Sequence, residues 1–189
     1  FPQIYETEEM EAKKNTRATK SKVQPTNEYG HLQPQARELE EAVLGALMIE
    51  KDAYSLVSEI LRPESFYEHI HQLIYAAITD LAVRQEPVDI LTVTEQLKKR
   101  GELDEVGGPF YIAQLSGKVA SSAHIEYHAR IIAQKYLARQ LITFTSEIQS
   151  KAFDETIDVD DLMQESEGKL FEISQRNMKK DYTQINPII

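Results

Sequence analysis

The sequence predicts an all-α protein: a small globular, orthogonal helical bundle followed by a long antiparallel helical hairpin. From residue 33 onward, apolar residues recur every three or four positions in most segments, which places them on one face of a helix. Pro, Gly and Asp residues separate these segments at points where helices begin and end. The β-branched run at 90–93 has some strand character, but the Asp and Gly residues around it favour a short helix.

The segment 36–49 carries the strongest helical pattern of the chain. Its apolar residues cover one broad face, which predicts contact with several other helices and a central place in the bundle. Pro34 is expected at the first helical position, because its fixed φ suits that position and its missing N–H is not needed there. The residues of the apolar face are Ala36, Leu39, Val43, Leu44, Leu47 and Met48.

Two helices are predicted to follow this central helix. Asp52 can cap a helix over residues 53–61, which an Arg-Pro sequence ends. A regular apolar stripe from Phe66 to Leu81 then predicts a helix of about four turns. The Gln-Glu-Pro sequence at 85–87 ends it.

Two shorter helices complete the predicted bundle. Either Asp89 or Thr92 caps the first, and Gly101 supplies its left-handed end. An acidic loop at 102–108 then leads to the second, over residues 109–116.

The hairpin begins with a single helix predicted over residues 124–151, roughly 40 Å long at 1.5 Å per residue. Its apolar face is wider than a helix with one wet side needs, so we expect it to contact two partners. An acidic turn at 154–158 leads to a second helix, and the two are expected to pack antiparallel. We predict a subunit interface here. Its residues are Ile125, Ile132, Tyr136, Leu141, Phe144, Ile148, Leu162, Leu170 and Ile173.

These elements predict four parts of the chain. A flexible arm occupies residues 1–32, the globular head 33–120, the helical hairpin 121–175 and a linker 176–189. The chain starts without methionine and stops on an apolar run, so we expect a piece of a longer protein.

The composition excludes several classes of protein. The chain has 189 residues, of which 41% are hydrophobic, so it can build a core, and it has no cysteine for disulfides, thiolate catalysis or Cys-ligated zinc. A net charge of -10 disfavours nucleic-acid binding through the overall field. No apolar run approaches the roughly 20 residues that span a bilayer, and no signal-peptide pattern opens the chain, so no membrane association is expected.

We find no catalytic, cofactor-binding or metal site in the sequence. A phosphate-binding loop needs lysine and a hydroxyl after its glycines, but Gly107-Gly108 is followed by Pro109-Phe110 and predicts the start of a helix. His124 and His128 share a helix face and could both reach zinc, yet no third ligand is evident. A helical metal-dependent hydrolase built on these two histidines is kept as an alternative.

Five sequence blocks follow one another between residues 34 and 132. The first three are Pro34-Gln35-x-x-Glu38-x-Glu40-x-Ala42-Val43-Leu44-Gly45, Phe66-Tyr67-x-x-x-His71-x-x-Ile74-Tyr75-x-Ala77 and Pro87-Val88-Asp89-x-x-Thr92-Val93. The others are Gly101-x-Leu103-x-Glu105-Val106-Gly107-Gly108-x-x-Tyr111-Ile112 and Tyr127-x-Ala129-x-Ile131-Ile132. In this order they resemble the N-terminal domain of bacterial replicative DNA helicases of the DnaB type. Two departures from the family pattern are Leu39, where alanine is usual, and Ala120, where proline is common.

This resemblance implies a cytoplasmic bacterial protein: a hexameric helicase that unwinds duplex DNA at the replication fork, with ATP and Mg²⁺ bound by a motor domain that these residues do not contain. The present chain would be its collar, which pairs into dimers and a trimer of dimers or hexamer, and DNA would be met through the complete ring. The resemblance also implies the primase C-terminal domain as a partner near the junction of head and hairpin, with a helicase loader as a further candidate. The alternative within this fold is a stand-alone adaptor like the helicase-binding domain of primase.

Overall fold

The computed structural model describes residues 32–118 and 122–178. The chain divides into two compact units, Phe1–Gln33 and Pro34–Ile189, and the helices below belong to the second. The predicted flexible arm (apart from Leu32), the departure at Ala120 and the apolar run at the end of the chain lie outside the described residues.

The described residues form seven α-helices and two 3₁₀ turns, with no strand among them, which confirms the all-α prediction. The 3₁₀ turns are Pro63–Ser65 and Ser122–His124. The α-helices are α1 (Arg37–Leu47), α2 (Ala53–Val57), α3 (His69–Val83), α4 (Ile90–Arg100), α5 (Gly108–Gly117), α6 (Ile125–Ala152) and α7 (Val159–Met178).

Helix α1 is the central helix of the head, as predicted. It contacts α2, α3, α5 and α6, and Val43, Leu44 and Leu47 on its apolar face are buried. The prediction that Pro34 is the first helical residue is wrong, because Ala36 is the N-cap and Arg37 begins the helix. The Pro34 carbonyl instead accepts a hydrogen bond from Arg139 on α6.

Helices α2 and α3 are both shorter than their apolar patterns predict. Helix α2 ends at Val57 rather than at residue 61, because the chain tightens into a turn in which Ile60 and Leu61 both donate to the Val57 carbonyl. This turn buries both side chains. Phe66 is buried too, but it precedes α3 and is not helical.

Helix α4 shows the predicted caps at both ends. The Asp89 carboxylate accepts hydrogen bonds from the N–H groups of Leu91 and Thr92 at 2.8 and 2.9 Å. The Thr92 hydroxyl in turn accepts from the Asp89 N–H at 2.9 Å, so Asp89 is the cap and Thr92 its partner in a capping box. Gly101 ends the helix with a φ of 73°.

Helices α6 and α7 form the predicted hairpin. Helix α6 runs unbroken for 28 residues. Lys151 pairs with Glu165, and one turn earlier Glu147 pairs with Lys169, which shows that the two helices are antiparallel. Helix α7 continues to Met178, so the first residues of the expected linker are helical.

The hydrophobic core lies in the head and extends along the first turns of α6. Ile125, Ala129 and Ile132 of α6 belong to it. Among the described residues beyond Ile132, Leu162 is the one buried side chain. The hairpin therefore projects from the head with little core of its own.

Candidate protein-interaction site

A buried chain of hydrogen bonds joins three helices of the head. The Glu40 carboxylate on α1 lies 2.6 Å from Nδ1 of His71 on α3 and accepts from the Tyr67 N–H at 2.7 Å. Nε2 of His71 lies 2.8 Å from the hydroxyl of Tyr111 on α5. Because an ionised carboxylate can only accept, Nδ1 of His71 carries the proton, which leaves Nε2 free to accept from Tyr111. This network fixes the relative positions of α1, α3 and α5.

The network reaches the surface through Arg37. Its guanidinium forms an ion pair with Glu41 at 3.4 Å and interacts electrostatically with the Tyr111 hydroxyl. Burial raises the pKa of the Tyr111 hydroxyl, and the Glu41 carboxylate raises it further. The hydroxyl therefore stays protonated and can donate to His71.

Sequence reasoning missed this network, although Glu40, His71 and Tyr111 all belong to the blocks that carry the family resemblance. The available signal was a carboxylate and an imidazole within segments whose neighbouring residues are apolar. A polar residue on an apolar helix face usually has a buried partner. Here the partners lie 31 and 40 residues apart in the sequence.

Arg139 attaches α6 to the head. Its guanidinium donates to the main-chain carbonyls of Pro34 at 2.7 Å and Ser65 at 2.8 Å. The same group lies 5.5 Å from the ring centroid of Tyr67 and 5.6 Å from that of Tyr136, a cation–π arrangement. Burial lowers the pKa of Arg139. Four contacts on a half-buried guanidinium make the junction of head and hairpin rigid.

The structure separates the nine predicted interface residues into three groups. Ile125 and Ile132 are buried in the core of the head, because the first turns of α6 belong to that core. Leu162 is 8% exposed, between the two hairpin helices. The remaining residues are half-buried or exposed, namely Tyr136, Leu141, Phe144, Ile148, Leu170 and Ile173.

Exposed apolar residues follow one side of α7. Val159, Met163 and Leu170 are 72%, 57% and 49% exposed, and their spacing of four and seven residues places them on one face. We call this set the α7 stripe. On α6, Leu141 is 37% exposed. Exposed apolar residues that share one helix face are typical of a site that binds another protein.

The histidines and glycines singled out in the sequence have ordinary surroundings. His124 is exposed at the N-cap of α6, and His128 is half-buried one turn later. Throughout residues 32–118 and 122–178, no three His, Cys, Asp or Glu side chains are grouped so that they could hold a metal ion. Gly107 and Gly108 have φ of 96° and 72° and begin α5, as predicted.

None of the helices in the described part of the chain combines the length and the apolar character needed to cross a membrane.

Comparison with known proteins identifies the family. The model of the "DnaB-like helicase N terminal domain" matches residues 32–134. A replicative DNA helicase DnaB from Rhodothermus marinus is 42% identical over 160 residues, which are 85% of this chain and 17% of the relative. The replicative DNA helicase DnaC of Bacillus subtilis is 38% identical over 158 residues, 84% of this chain and 35% of the relative. The chain thus spans between a sixth and about a third of these curated relatives.

Solved structures agree with this assignment. The crystal structure of the N-terminal domain of DnaB helicase from Mycobacterium tuberculosis superposes with a TM-score of 0.70 at 35% identity, covering 74% of this chain and 98% of that one. A structure described as a DnaB-like replicative helicase and its interactions with primase gives a TM-score of 0.63 at 24% identity over 75% of this chain and 31% of that one, which supports the fold. The chain belongs to the DnaB-like helicase N-terminal domain family.

Proposed function

We propose that this chain is the N-terminal collar of a hexameric replicative DNA helicase that unwinds duplex DNA at the replication fork in the bacterial cytoplasm. Its role is to mediate assembly of the ring and contact with primase. The observation that carries the proposal is the set of exposed apolar side chains on the hairpin, the α7 stripe and Leu141. Among the described residues of the hairpin beyond Ile132, Leu162 is the one that is buried.

Leaving these apolar side chains in water has a cost in free energy. Each fully exposed Val, Leu or Met side chain forgoes about 1.5–3 kcal/mol of burial. A second copy of the hairpin would recover part of that free energy, and repetition of such contacts closes a ring. A dimer, a trimer of dimers and a hexamer are all compatible with one hairpin per subunit.

Catalysis is proposed to reside elsewhere in the longer protein. The relatives are roughly three to six times as long as the part they share with this chain, which leaves room for a motor domain that binds ATP and Mg²⁺ and meets DNA through the ring. Primase is proposed as a partner because a DnaB-like helicase of the same fold is described together with its interactions with primase. A helicase loader is a further candidate partner.

Light scattering on hairpin variants tests the assembly role. Met163→Asp and Leu141→Asp should lower the molar mass, since each places a carboxylate in the proposed contact. Leu91→Asp is the matched control, because Leu91 is also an exposed apolar residue but lies on α4 of the head. Circular dichroism should show the same helix content in all three variants. An unchanged molar mass in both hairpin variants would contradict the assembly role.

A titration with the C-terminal domain of the cognate primase tests the partner. We expect saturable binding to the assembled wild-type chain. A folded, assembled chain that does not bind would limit the proposed role to oligomerisation.

A further inference from the structure

The segment 65–67, which precedes α3, is held by a negative and a positive side chain from two different helices. The Glu40 carboxylate of α1 accepts from the Tyr67 N–H at 2.7 Å. The Arg139 guanidinium of α6 donates to the Ser65 carbonyl at 2.8 Å and lies 5.5 Å from the centroid of the Tyr67 ring. We call residues 65–67 the junction segment, because they connect a buried carboxylate of the head to the base of the hairpin.

The two charges bind complementary groups of this short stretch of backbone. A carboxylate accepts from N–H groups and a guanidinium donates to carbonyl groups, so the junction segment satisfies both at once. Hydrogen bonds to charged groups are roughly twice as strong as those between neutral groups. If either charge is removed, the junction segment is held less firmly and the other charge loses part of its binding site.

Burial makes each of these charges depend on the other. Glu40 is 1% exposed, and a buried charge is tolerated only when it is hydrogen-bonded and an opposite charge lies nearby. Arg139 is half-buried and donates to two neutral carbonyl groups. Burial lowers the pKa of Arg139, and the Glu40 carboxylate opposes that effect. The head therefore supplies negative charge to the arginine that attaches the hairpin.

We propose that Glu40 and Arg139 act together as an internal latch that sets the direction of the hairpin relative to the head. Glu40 is the positioning residue of this latch, because it acts on α6 through the junction segment. The second carbonyl that Arg139 binds belongs to Pro34, just before α1, the helix that carries Glu40. The latch goes beyond the proposed function, since it requires neither a second copy of the chain nor primase.

A distance measurement between head and hairpin tests the latch. The chain has no cysteine, so spin labels on Val83→Cys and Phe153→Cys report one distance, from the end of α3 to the end of α6. Both positions are exposed, at 74% and 80%. Diluting the labelled chain with an excess of unlabelled chain restricts the measurement by pulsed electron–electron double resonance to distances within one subunit.

We expect one narrow distance distribution when the latch is intact. Glu40→Gln keeps the shape of the side chain but removes its charge, and it should broaden the distribution by several ångström, as should Arg139→Gln. The double variant should be no broader than Arg139→Gln alone, because both changes open the same latch. Arg139→Lys should lie between wild type and Arg139→Gln, since lysine keeps the charge and loses the forked geometry.

The matched control is Leu97→Ala, a buried residue of α4. It should lower the melting temperature and leave the distance distribution unchanged, because its cavity does not touch the latch. This control separates a loss of stability in the head from a loss of hairpin direction. Broadening in Leu97→Ala equal to that in Glu40→Gln would overturn the proposal.

Two further results would also overturn it. One is a Glu40→Gln chain that is folded by circular dichroism and has the wild-type distribution. The other is a double variant whose broadening equals the sum of the two single effects, because Glu40 and Arg139 would then act independently. If Glu40→Gln does not fold, hydrogen exchange in Arg139→Gln decides. The Tyr67 N–H should exchange faster there than in wild type, and unchanged protection would refute the latch.

Discussion

The head and the hairpin use the same kinds of residue in opposite ways. In the head, charged and polar side chains such as Glu40 and His71 are buried and hydrogen-bonded to each other, and a cluster of buried apolar side chains forms a core, although Leu91 and Phe110 stay exposed. In the hairpin, the ion pairs Lys151–Glu165 and Glu147–Lys169 lie at the surface, and the apolar α7 stripe is exposed. The head has a core of its own, and the hairpin has little of one beyond the first turns of α6.

This difference predicts that substitutions in the two regions change different properties of the protein. The head can be stabilised by its own core, so changes in it should alter the folding of an isolated subunit. In the described part of the hairpin beyond Ile132, one side chain is buried, Leu162, so the stability of this part should depend on a second copy. Four predictions test this contrast.

The largest effect is expected from Glu40→Ala in the head. The change removes the acceptor of two buried donors, the His71 Nδ1–H and the Tyr67 N–H, and should lower the free energy of unfolding by about 3–5 kcal/mol. Urea denaturation followed by circular dichroism measures it. Glu38→Ala, an exposed carboxylate of the same helix, is the control and should change stability by less than about 0.5 kcal/mol. A loss below about 1 kcal/mol for Glu40→Ala would show that the network does not stabilise the head.

A pair of core truncations compares the two regions directly. Ile78→Ala in the head should cost about 2–4 kcal/mol at any protein concentration, because the cavity lies inside one subunit. Leu162→Ala in the hairpin should cost less, about 1–2 kcal/mol, and its effect should grow as the protein is diluted. Denaturation at two protein concentrations separates the two. If both variants lost the same unfolding free energy at both protein concentrations, the predicted difference between head and hairpin would be contradicted.

The third effect is a pH dependence centred on Glu41. Burial would raise the pKa of this carboxyl, but the Lys118 ammonium and the Arg37 guanidinium outweigh burial and lower it below its ordinary 4.5. The unfolded state then binds the proton more readily, so the contribution of Glu41 is present above pH 4.5 and is lost as the pH falls through the lower folded value. Glu41→Gln should lower the free energy of unfolding by about 1 kcal/mol at neutral pH. At acidic pH the stabilities of the variant and the wild type should become equal.

Glu165 in the hairpin is the comparison for this pH effect. The Lys151 ammonium lowers the pKa of its carboxyl as well, but the pair is solvated and should contribute less. Thermal melting of wild type, Glu41→Gln and Glu165→Gln across acidic pH measures both. If the loss of stability relative to wild type were larger for Glu165→Gln than for Glu41→Gln, the ion pair in the head would not be the more stabilising of the two.

The smallest effect concerns two helix ends in the head. Gln85 and Gly101 both follow a helix in the left-handed region, with φ of 57° and 73°, and in each case the next N–H bonds a carbonyl five residues back. Only glycine adopts this φ without strain. Gln85→Gly should raise stability by about 0.5 kcal/mol, and Gly101→Ala should lower it by about 1 kcal/mol. A Cβ on Gly101 would meet no atom within 4 Å. A change in melting temperature of Gly101→Ala therefore measures backbone strain and not a steric clash.

Sequence reasoning succeeded where the determining interaction is local. The Asp89 carboxylate accepts hydrogen bonds from N–H groups two and three residues later, and Gly101 ends the helix directly before it. Both roles are therefore determined by residues that are adjacent in the sequence. The prediction that Pro34 begins a helix was wrong for the opposite reason. Its carbonyl is held by Arg139, 105 residues further along the chain, and no local pattern encodes that bond.

The candidate site shows the same limit of sequence patterns. Periodicity identified the apolar faces of α6 and α7 but could not tell which element covers each residue. Ile125 and Ile132 share their helix with Leu141 and Phe144, yet the first two are covered by the head.

The unbroken course of α6 has a mechanical consequence. Arg139 clamps this helix to the head, and the helix ends at Ala152, about 20 Å further on at 1.5 Å per residue. The free part is therefore a lever whose fulcrum is the Arg139 clamp. Over that length, a tilt of roughly 5° displaces the tip by about 2 Å, so a small rotation of the head would become a larger displacement at the far end of α6.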